Sequence, residues 1–299
     1  MTKPLLSICI PTKNHIRELS IALDSIVSSA VFLETNKIEI LISDNNSDDD
    51  TESVIQSYCN IHGNKIKYIR HQVDVHPHLN FEISLLSASG VMRKLHNSYF
   101  SFAPGAVDML VDLVENFSIK KPVIFLANGA DNIQQEDLFL CNGVDEFVKK
   151  VSFWSTWIGG FFVWEDDLNA VGDFNREINS LLSHTEFLMR VIDKKNLVIV
   201  VNKKMMRSHR TWPRGGYNVA EVFGKNYLSI IGEYIEKNKL SKQTFQDEKR
   251  KVLLEHILPN YFSSFHDFGS HEILKYLSDY ERDEYFYLAM ISGMRQKGK

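Results

Sequence analysis

Cysteine is scarce in this chain. Cys9, Cys59 and Cys141 lie far apart among 299 residues, their number is odd, and no CxxC spacing occurs. Such usage argues against a disulfide framework or a structural zinc site. Cys9 sits in an apolar run and reads as a small buried residue. An excess of basic charge is also missing. The formal net charge is −4, so no global field recruits nucleic acid, and no nucleic-acid partner is expected. No apolar run approaches the length of a membrane span. The opening "LLSICIP" is too short for a signal-peptide core, and no small-residue cleavage site follows it. The protein is therefore expected to be cytoplasmic. Internal repeats and low-complexity segments are absent as well.

What remains is the composition of an ordinary globular protein, 44% hydrophobic and 24% charged. Its length suits one large α/β domain or two smaller ones. Strand and helix signals alternate through the first half. Residues 5–11 form an apolar run ended by Pro11, a buried strand. Leu19, Leu23, Ile26 and Val27 then fall on one helical face of residues 17–29. Residues 38–43 read as a second strand, stopped by the polar cluster "DNNSDDD", with Asp50 or Thr51 near the next helix N-cap. Residues 66–70 are a third strand, 79–89 a helix, 91–96 a strand, and 122–127 another strand. Pro104 stands where a first-turn proline would open a helix running to about Glu115.

This alternation predicts a doubly wound, largely parallel sheet, which binds ligands at the carboxyl ends of its strands. The second half differs. Residues 152–164, "SFWSTWIGGFFVW", are aromatic around a glycine pair, 184–194 look helical, and 196–201 form a strand. From Tyr217 onward no strand signal is strong, and 217–236, 243–257 and 271–294 read as helices. A boundary is expected near 216, with an α/β domain over 1–216 and a helical extension over 217–299.

Two polar turns follow the first two strands. "PTKN" places Pro11, Thr12 and Asn14 after the first, and Asp44 follows the second. Neighbouring parallel strands would bring both to one rim, where a carboxylate can accept hydrogen bonds from a nucleobase N–H or from ribose hydroxyls. The alternative is that Asp44 and the acids behind it cap the next helix. No G-x-G-x-x-G follows the first strand, which argues against a Rossmann dinucleotide site.

"LSICIPTKNHIRELSIALDSI" and "IEILISDNNSDDDT" together resemble the opening of the family 2 glycosyltransferases, enzymes of the GT-A fold. "LSASGVMRKLHNSYFSFAPGAVDMLVD" resembles that family's order of glycine, strand, acidic loop, proline-glycine and helix. "WIGGFFV" is similar to its acceptor-side segment and "HTEFLMR" to its acidic helix start, so the likeness covers about residues 5–195. In detail it is similar to abequosyltransferase-like enzymes of bacterial O-antigen and surface-polysaccharide assembly.

The resemblance implies a nucleotide-diphosphate-sugar donor, a saccharide or lipid-linked acceptor, and transfer with inversion. It implies donor contacts for Pro11, Thr12, Asn14, Asp44 and Asn97, and the role of proton acceptor for Glu186. Inverting transfer needs a carboxylate to take the acceptor hydroxyl's proton. Glu186 could equally complement the dipole of the helix it opens. Asp166 and Asp167 stand in reserve, or sit on a solvated turn. Trp154 and Trp157 could stack on an acceptor sugar, or serve as core.

The chain departs from the family at its metal loop. The acidic positions fall at Ser98, Tyr99 or Phe100, none a carboxylate, with Asn97 and His96 beside them. A divalent cation such as Mg2+ or Mn2+ wants charged oxygen ligands, so this is a poor site, and no metal ligands are assigned. Arg207, His209, Arg210 and Arg214 lie within eight residues, ahead of Gly215 and Gly216. They could clamp the donor diphosphate in place of a metal, or form an exposed basic loop facing anionic lipid. The mixed charge of the C-terminal helices fits a peripheral membrane contact, a solvated surface or a dimer face. Two rival readings remain: a non-catalytic nucleotide-sugar-binding or scaffolding protein with a degenerate metal site, and a nucleotidyltransferase.

Overall fold

The computed structural model describes residues 3–130, 133, 136–212, 215–262, 267–268, 273–281, 283, 285–288 and 291. In chain order the first elements are β1 (Leu6–Thr12), α1 (Ile16–Val27), α2 (Ala30–Glu34), β2 (Ile38–Asp44), α3 (Thr51–His62), β3 (Ile66–Arg70), α4 (Pro77–Ser87) and β4 (Met92–Leu95). They continue with β5 (Phe100–Phe102), α5 (Ala106–Phe117), β6 (Val123–Leu126), β7 (Leu138–Asn142), α6 (Gly143–Val151), β8 (Phe162–Trp164), α7 (Glu165–Val171) and α8 (Ser183–Lys195). Next come β9 (Leu197–Val201), β10 (Met206–Ser208), β11 (Gly215–Tyr217), α9 (Leu228–Glu236), α10 (Lys242–Lys251), α11 (Leu258–Phe262) and β12 (Asp267–Phe268).

The main sheet has the order β3-β2-β1-β4-β8, with β8 antiparallel to β4 and the other pairs parallel. A second sheet, β6-β9-β7, joins it through Phe161, which bridges to Phe125 and accepts the Leu95 amide. Both faces are covered, as the α/β alternation predicts. Leu6, Ile8 and Ile10 of β1 point into one core with Ile40 and Ile42 of β2 and the apolar stripes of α1, α3 and α5. Cys9 and Leu41, one residue out of phase, point to the opposite core with α4, α6 and α8. The period of two along each strand thus sorts side chains between two layers. The second core runs on past residue 216 through Val219, Phe223, Tyr227, Ile231 and Leu253.

Several elements differ from expectation. Pro104 is not the first helical residue. Gly105 is the N-cap, in the left-handed region at φ 76°, and α5 begins at Ala106. Glycine carries that turn without a Cβ penalty. The aromatic stretch 152–164 becomes two 3-10 turns and the short strand β8. The helices expected over 217–236 and 243–257 contain π-helical turns at Ala220–Tyr227 and Val252–Ile257. A strand does occur after Tyr217, because β12 pairs with β11. The helix expected over 271–294 lies partly outside the described residues. Within them, Ile273–Tyr276 and Ser278–Tyr280 are 3-10 turns, while 285–288 and 291 are helical as expected.

Candidate active site

The parallel register of β1 and β2 sets Thr12 directly opposite Asp44, so the two polar turns share one rim. Three turns close it. Asn14 adopts φ 54°, a conformation its short amide side chain tolerates. Its N–H donates to Ser47 Oγ at 2.9 Å, and its Oδ1 accepts from the Asp48 N–H at 2.7 Å. Asn45 exchanges two 2.8 Å hydrogen bonds with the backbone of Val75, drawing in the loop after β3.

Asp44 is wholly buried. Its Oδ1 accepts from the Ser47 N–H at 3.0 Å and its Oδ2 from the Tyr68 hydroxyl at 2.7 Å, with Arg70 Nε 3.7 Å away. Burial, then the adjacent carboxylate, keep the Tyr68 phenol protonated. Thr12 Oγ1, buried beside it, has no hydrogen-bond partner. A buried unsatisfied hydroxyl costs free energy unless a ligand or water completes it.

Residues 96–99 form the next part of the rim. Asn97 Nδ2 donates to the Tyr99 hydroxyl at 3.2 Å, while its buried Oδ1 has no partner. A Cβ on Gly159 would come within 3.0 Å of that oxygen and 2.5 Å of the Trp157 ring, so the glycine permits this approach. Trp157 also packs on Phe100, with ring centroids 5.4 Å apart.

The basic segment lies over the same rim. Ser208 of β10 pairs with Phe100 of β5, and the His209 N–H donates to the Tyr99 carbonyl at 2.8 Å. His209 Nε2 lies 2.6 Å from Ser101 Oγ. The Arg210 guanidinium sits over the rings of Tyr99 and Trp212, at 5.3 and 5.2 Å, and its Nε is buried without a partner. Trp212 stacks on His15 at 3.8 Å and 6°. Two of the four basic residues, His209 and Arg210, therefore meet the turns after β1 and β4. Arg207 is exposed on β10, and Arg214 lies outside the described residues.

Glu186 opens α8, almost fully buried. Its Oε1 lies 2.7 Å from Arg176 Nη2 and 2.8 Å from Arg190 Nε, ion pairs without hydrogen-bond alignment. Its Oε2 accepts from Arg190 Nη2 at 2.9 Å. Burial raises its proton affinity, and Arg190 and Arg176 oppose that rise. Beside it, His184 Nε2–H donates to the Thr156 carbonyl at 2.8 Å, tying α8 to the aromatic segment and leaving a bare Nδ1. Burial pushes His184 down to about 4, and burial with two neighbouring histidines pushes His78 down to about 3. Asp166 and Asp167 lie in the first turn of α7 and not on a solvated turn, with Asp166 exposed and Asp167 buried. They pair with Lys121 and with Lys195, at the far end of α8 from Glu186.

The sequence reading took Tyr99 only as a position of the metal loop, and missed His15, Trp212, Tyr68 and Lys94. A charged Arg93–Lys94 pair inside an apolar strand was a usable signal for the last. Trp212 carried a weaker one, through its nearness to Arg210.

Residues 7–90 match the model of glycosyl transferase family 2. Over 86 residues the chain is 41% identical to the abequosyltransferase RfbV of Salmonella typhimurium, a stretch covering 29% of this chain and 25% of that one. The match thus spans about a quarter of the curated relative's length. Among solved structures, S. aureus TarS superposes with a TM-score of 0.57 at 14% identity, over 88% of this chain and 44% of that one. S. aureus TarS 1–349 in complex with UDP gives 0.58 at 15%, over 84% and 71%. The mannosyltransferase PcManGT from Pyrobaculum calidifontis, in complex with GDP-Man and Mn2+, gives 0.56 at 12%, over 99% and 85%. At these identities the structural likeness concerns the fold, which is GT-A.

The residues here do not fit a divalent ion. Asn97 offers one neutral oxygen, and His96 is fully buried with Nε2 on the Phe100 carbonyl and Nδ1 facing Lys94. Among the described residues no cluster of His, Cys, Asp or Glu gathers to hold one. Matched segment, partial relative and fold agree: residues 7–90 are similar to the family 2 glycosyltransferases, and they stand within a GT-A fold.

Proposed function

We propose that this protein transfers a sugar from a nucleotide-diphosphate donor to a saccharide acceptor, with inversion. The acceptor is lipid-linked and the setting is bacterial surface-polysaccharide assembly, at the cytoplasmic face of the membrane. Segment 217–299 extends the catalytic domain 1–216. The observation that carries the reading is the rim itself. Thr12 faces Asp44 in register, and buried, unpartnered oxygens of Thr12 and Asn97 stand at the end of β1 and in the turn after β4. The likeness to RfbV over 86 residues supports the choice of chemistry. That no described helix is long and apolar enough to cross a membrane is compatible with peripheral contact.

In this mechanism Pro11, Thr12, Asn14 and Asp44 wall the pocket for base and ribose. Asp44 is reached only if Tyr68 or Arg70 gives way, because both its oxygens are engaged inside the protein. The acceptor oxygen attacks the anomeric carbon, the bond to the diphosphate oxygen breaks, and its electron pair leaves with the diphosphate. The acceptor's proton passes to Glu186, whose raised proton affinity suits a base. Arg176, partly exposed, must move to open that carboxylate. Arg210 stabilises the leaving diphosphate from its place over Tyr99.

The second reading is a binding protein without turnover. It is favoured by a loop at 97–99 that has no carboxylate and by the two arginines closed on Glu186. Incubation with a panel of nucleotide sugars and lipid-linked saccharides separates the two. Transfer or donor hydrolysis supports the enzyme, and binding without either supports the second reading. Absence of binding overturns both.

A further inference from the structure

Lys94 lies on β4, fully buried, three residues before Asn97. Its surroundings are neutral. Nζ donates to the Leu95 carbonyl at 2.9 Å and the Gly159 carbonyl at 2.8 Å, and lies 3.5 Å from His96 Nδ1. His96 Nε2–H donates to the Phe100 carbonyl at 2.8 Å, so Nδ1 is a bare acceptor. The rings of Phe162 and Phe102 stand 5.2 and 5.7 Å from the ammonium. Cys9, across on β1, is a thiol whose pKa burial pushes up, and Arg93 turns away to Glu165. A buried charge with no ionic partner is costly and calls for a reason.

We propose that Lys94 is a positioning residue of the donor site: a buried cation beneath residues 96–99 that sets Asn97 against the Gly159 turn and supplies fixed positive charge to the donor diphosphate. The inference rests on the reading of the rim as a nucleotide-sugar site. Its geometry is a three-way tie. An ammonium has three N–H groups for three acceptors, which belong to β4, the Gly159 turn and His96. The Gly159 turn is the one that abuts Asn97 Oδ1. Within a dry interior a charge acts over several ångströms, and the loop above has no carboxylate with which to recruit a divalent ion. Burial holds the Lys94 pKa down to about 7, so the tie loses a donor and its charge as pH rises through neutrality.

The test compares the nucleotide sugar that binds best in a panel with its parent nucleoside, by calorimetry at about pH 6 and about pH 8.5. The donor's diphosphate diester does not ionise in that window. Glu248, whose carboxyl burial pushes up to about 7, remains in a Lys94→Met variant, which is therefore the control. The expected wild-type ratio of nucleotide-sugar to nucleoside affinity falls about tenfold between the two pH values. In Lys94→Met the ratio is low and flat, with nucleoside affinity unchanged. A flat wild-type profile, or a variant that keeps the wild-type ratio and slope, overturns the proposal. If the variant does not fold, Glu248→Gln is the control: a slope that persists in it supports the proposal, and a slope that vanishes overturns it. Binding of no nucleotide sugar at either pH overturns the reading of the rim itself, and this inference with it.

Discussion

Two buried carboxylates show how differently this molecule treats its two sides. Above β1 and β2, Asp44 is held by a backbone N–H, a serine and a tyrosine, with Arg70 at a distance. At the start of α8, Glu186 is closed in by Arg176 and Arg190. The first arrangement shapes a turn and leaves unpartnered polar atoms around it, as a preformed pocket wall does. The second is a compact ion cluster whose proton affinity depends on burial against two positive charges. One carboxylate joins a local turn at Ser47 to Tyr68 on the neighbouring strand β3. The other pairs with Arg190 one turn along its own helix and with Arg176 of the preceding loop.

The sharpest way to break this comparison is Glu186→Gln. The amide keeps the size and polarity of the group but cannot take the acceptor's proton. Donor binding should persist and turnover should fall about a hundredfold or more. Turnover near wild type together with a lowered Tm would make Glu186 an ion-cluster residue only.

Next comes Arg210→Ala, which removes the cation over Tyr99 and Trp212. Transfer should drop by about a hundredfold, the scale for losing one donor to charge that develops in the transition state. Activity should survive excess chelator in the wild type. Activity that chelator abolishes and manganese restores would mean the clamp is misassigned.

Asp44→Ala tests the other carboxylate. Nucleoside diphosphate affinity should fall about tenfold to a hundredfold, the worth of a charged hydrogen bond, in a variant whose circular dichroism is unchanged. Unchanged affinity would leave Asp44 as a turn residue.

The smallest effect concerns a third buried carboxylate. Glu248 of α10 accepts from Ser152 Oγ at 2.9 Å and the Tyr227 hydroxyl at 3.0 Å, linking the extension to the aromatic segment. Burial pushes its pKa up to about 7. Between the ordinary carboxylate value and 7 the folded state binds the extra proton, so stability should fall as pH rises through that window and level off above it. Glu248→Gln should remove that slope and raise Tm by a few degrees above neutrality relative to wild type. Parallel melting curves would rule out a titrating Glu248.

The order of strands and helices in the first half was legible because its signals are local. A period of two in β1 and β2, an apolar stripe in α1, and polar turns after each strand need no distant partner to be read. The same locality made Thr12, Asn14 and Asp44 identifiable as rim residues, since parallel pairing alone brings strand ends together. Pro104 misled because proline suits the approach to a helix as well as its first turn, and Gly105 decided the matter through its left-handed φ. Tertiary structure alone decided the rest. The stacking of Trp212 on His15, the closure of Arg176 on Glu186 and the tie of Lys94 to the Gly159 carbonyl join residues distant in sequence or on different elements. Their identities are plain in the chain, but their partners are not. Burial, which sets the protonation of Lys94, His184 and Glu248, is a property of what packs around a side chain.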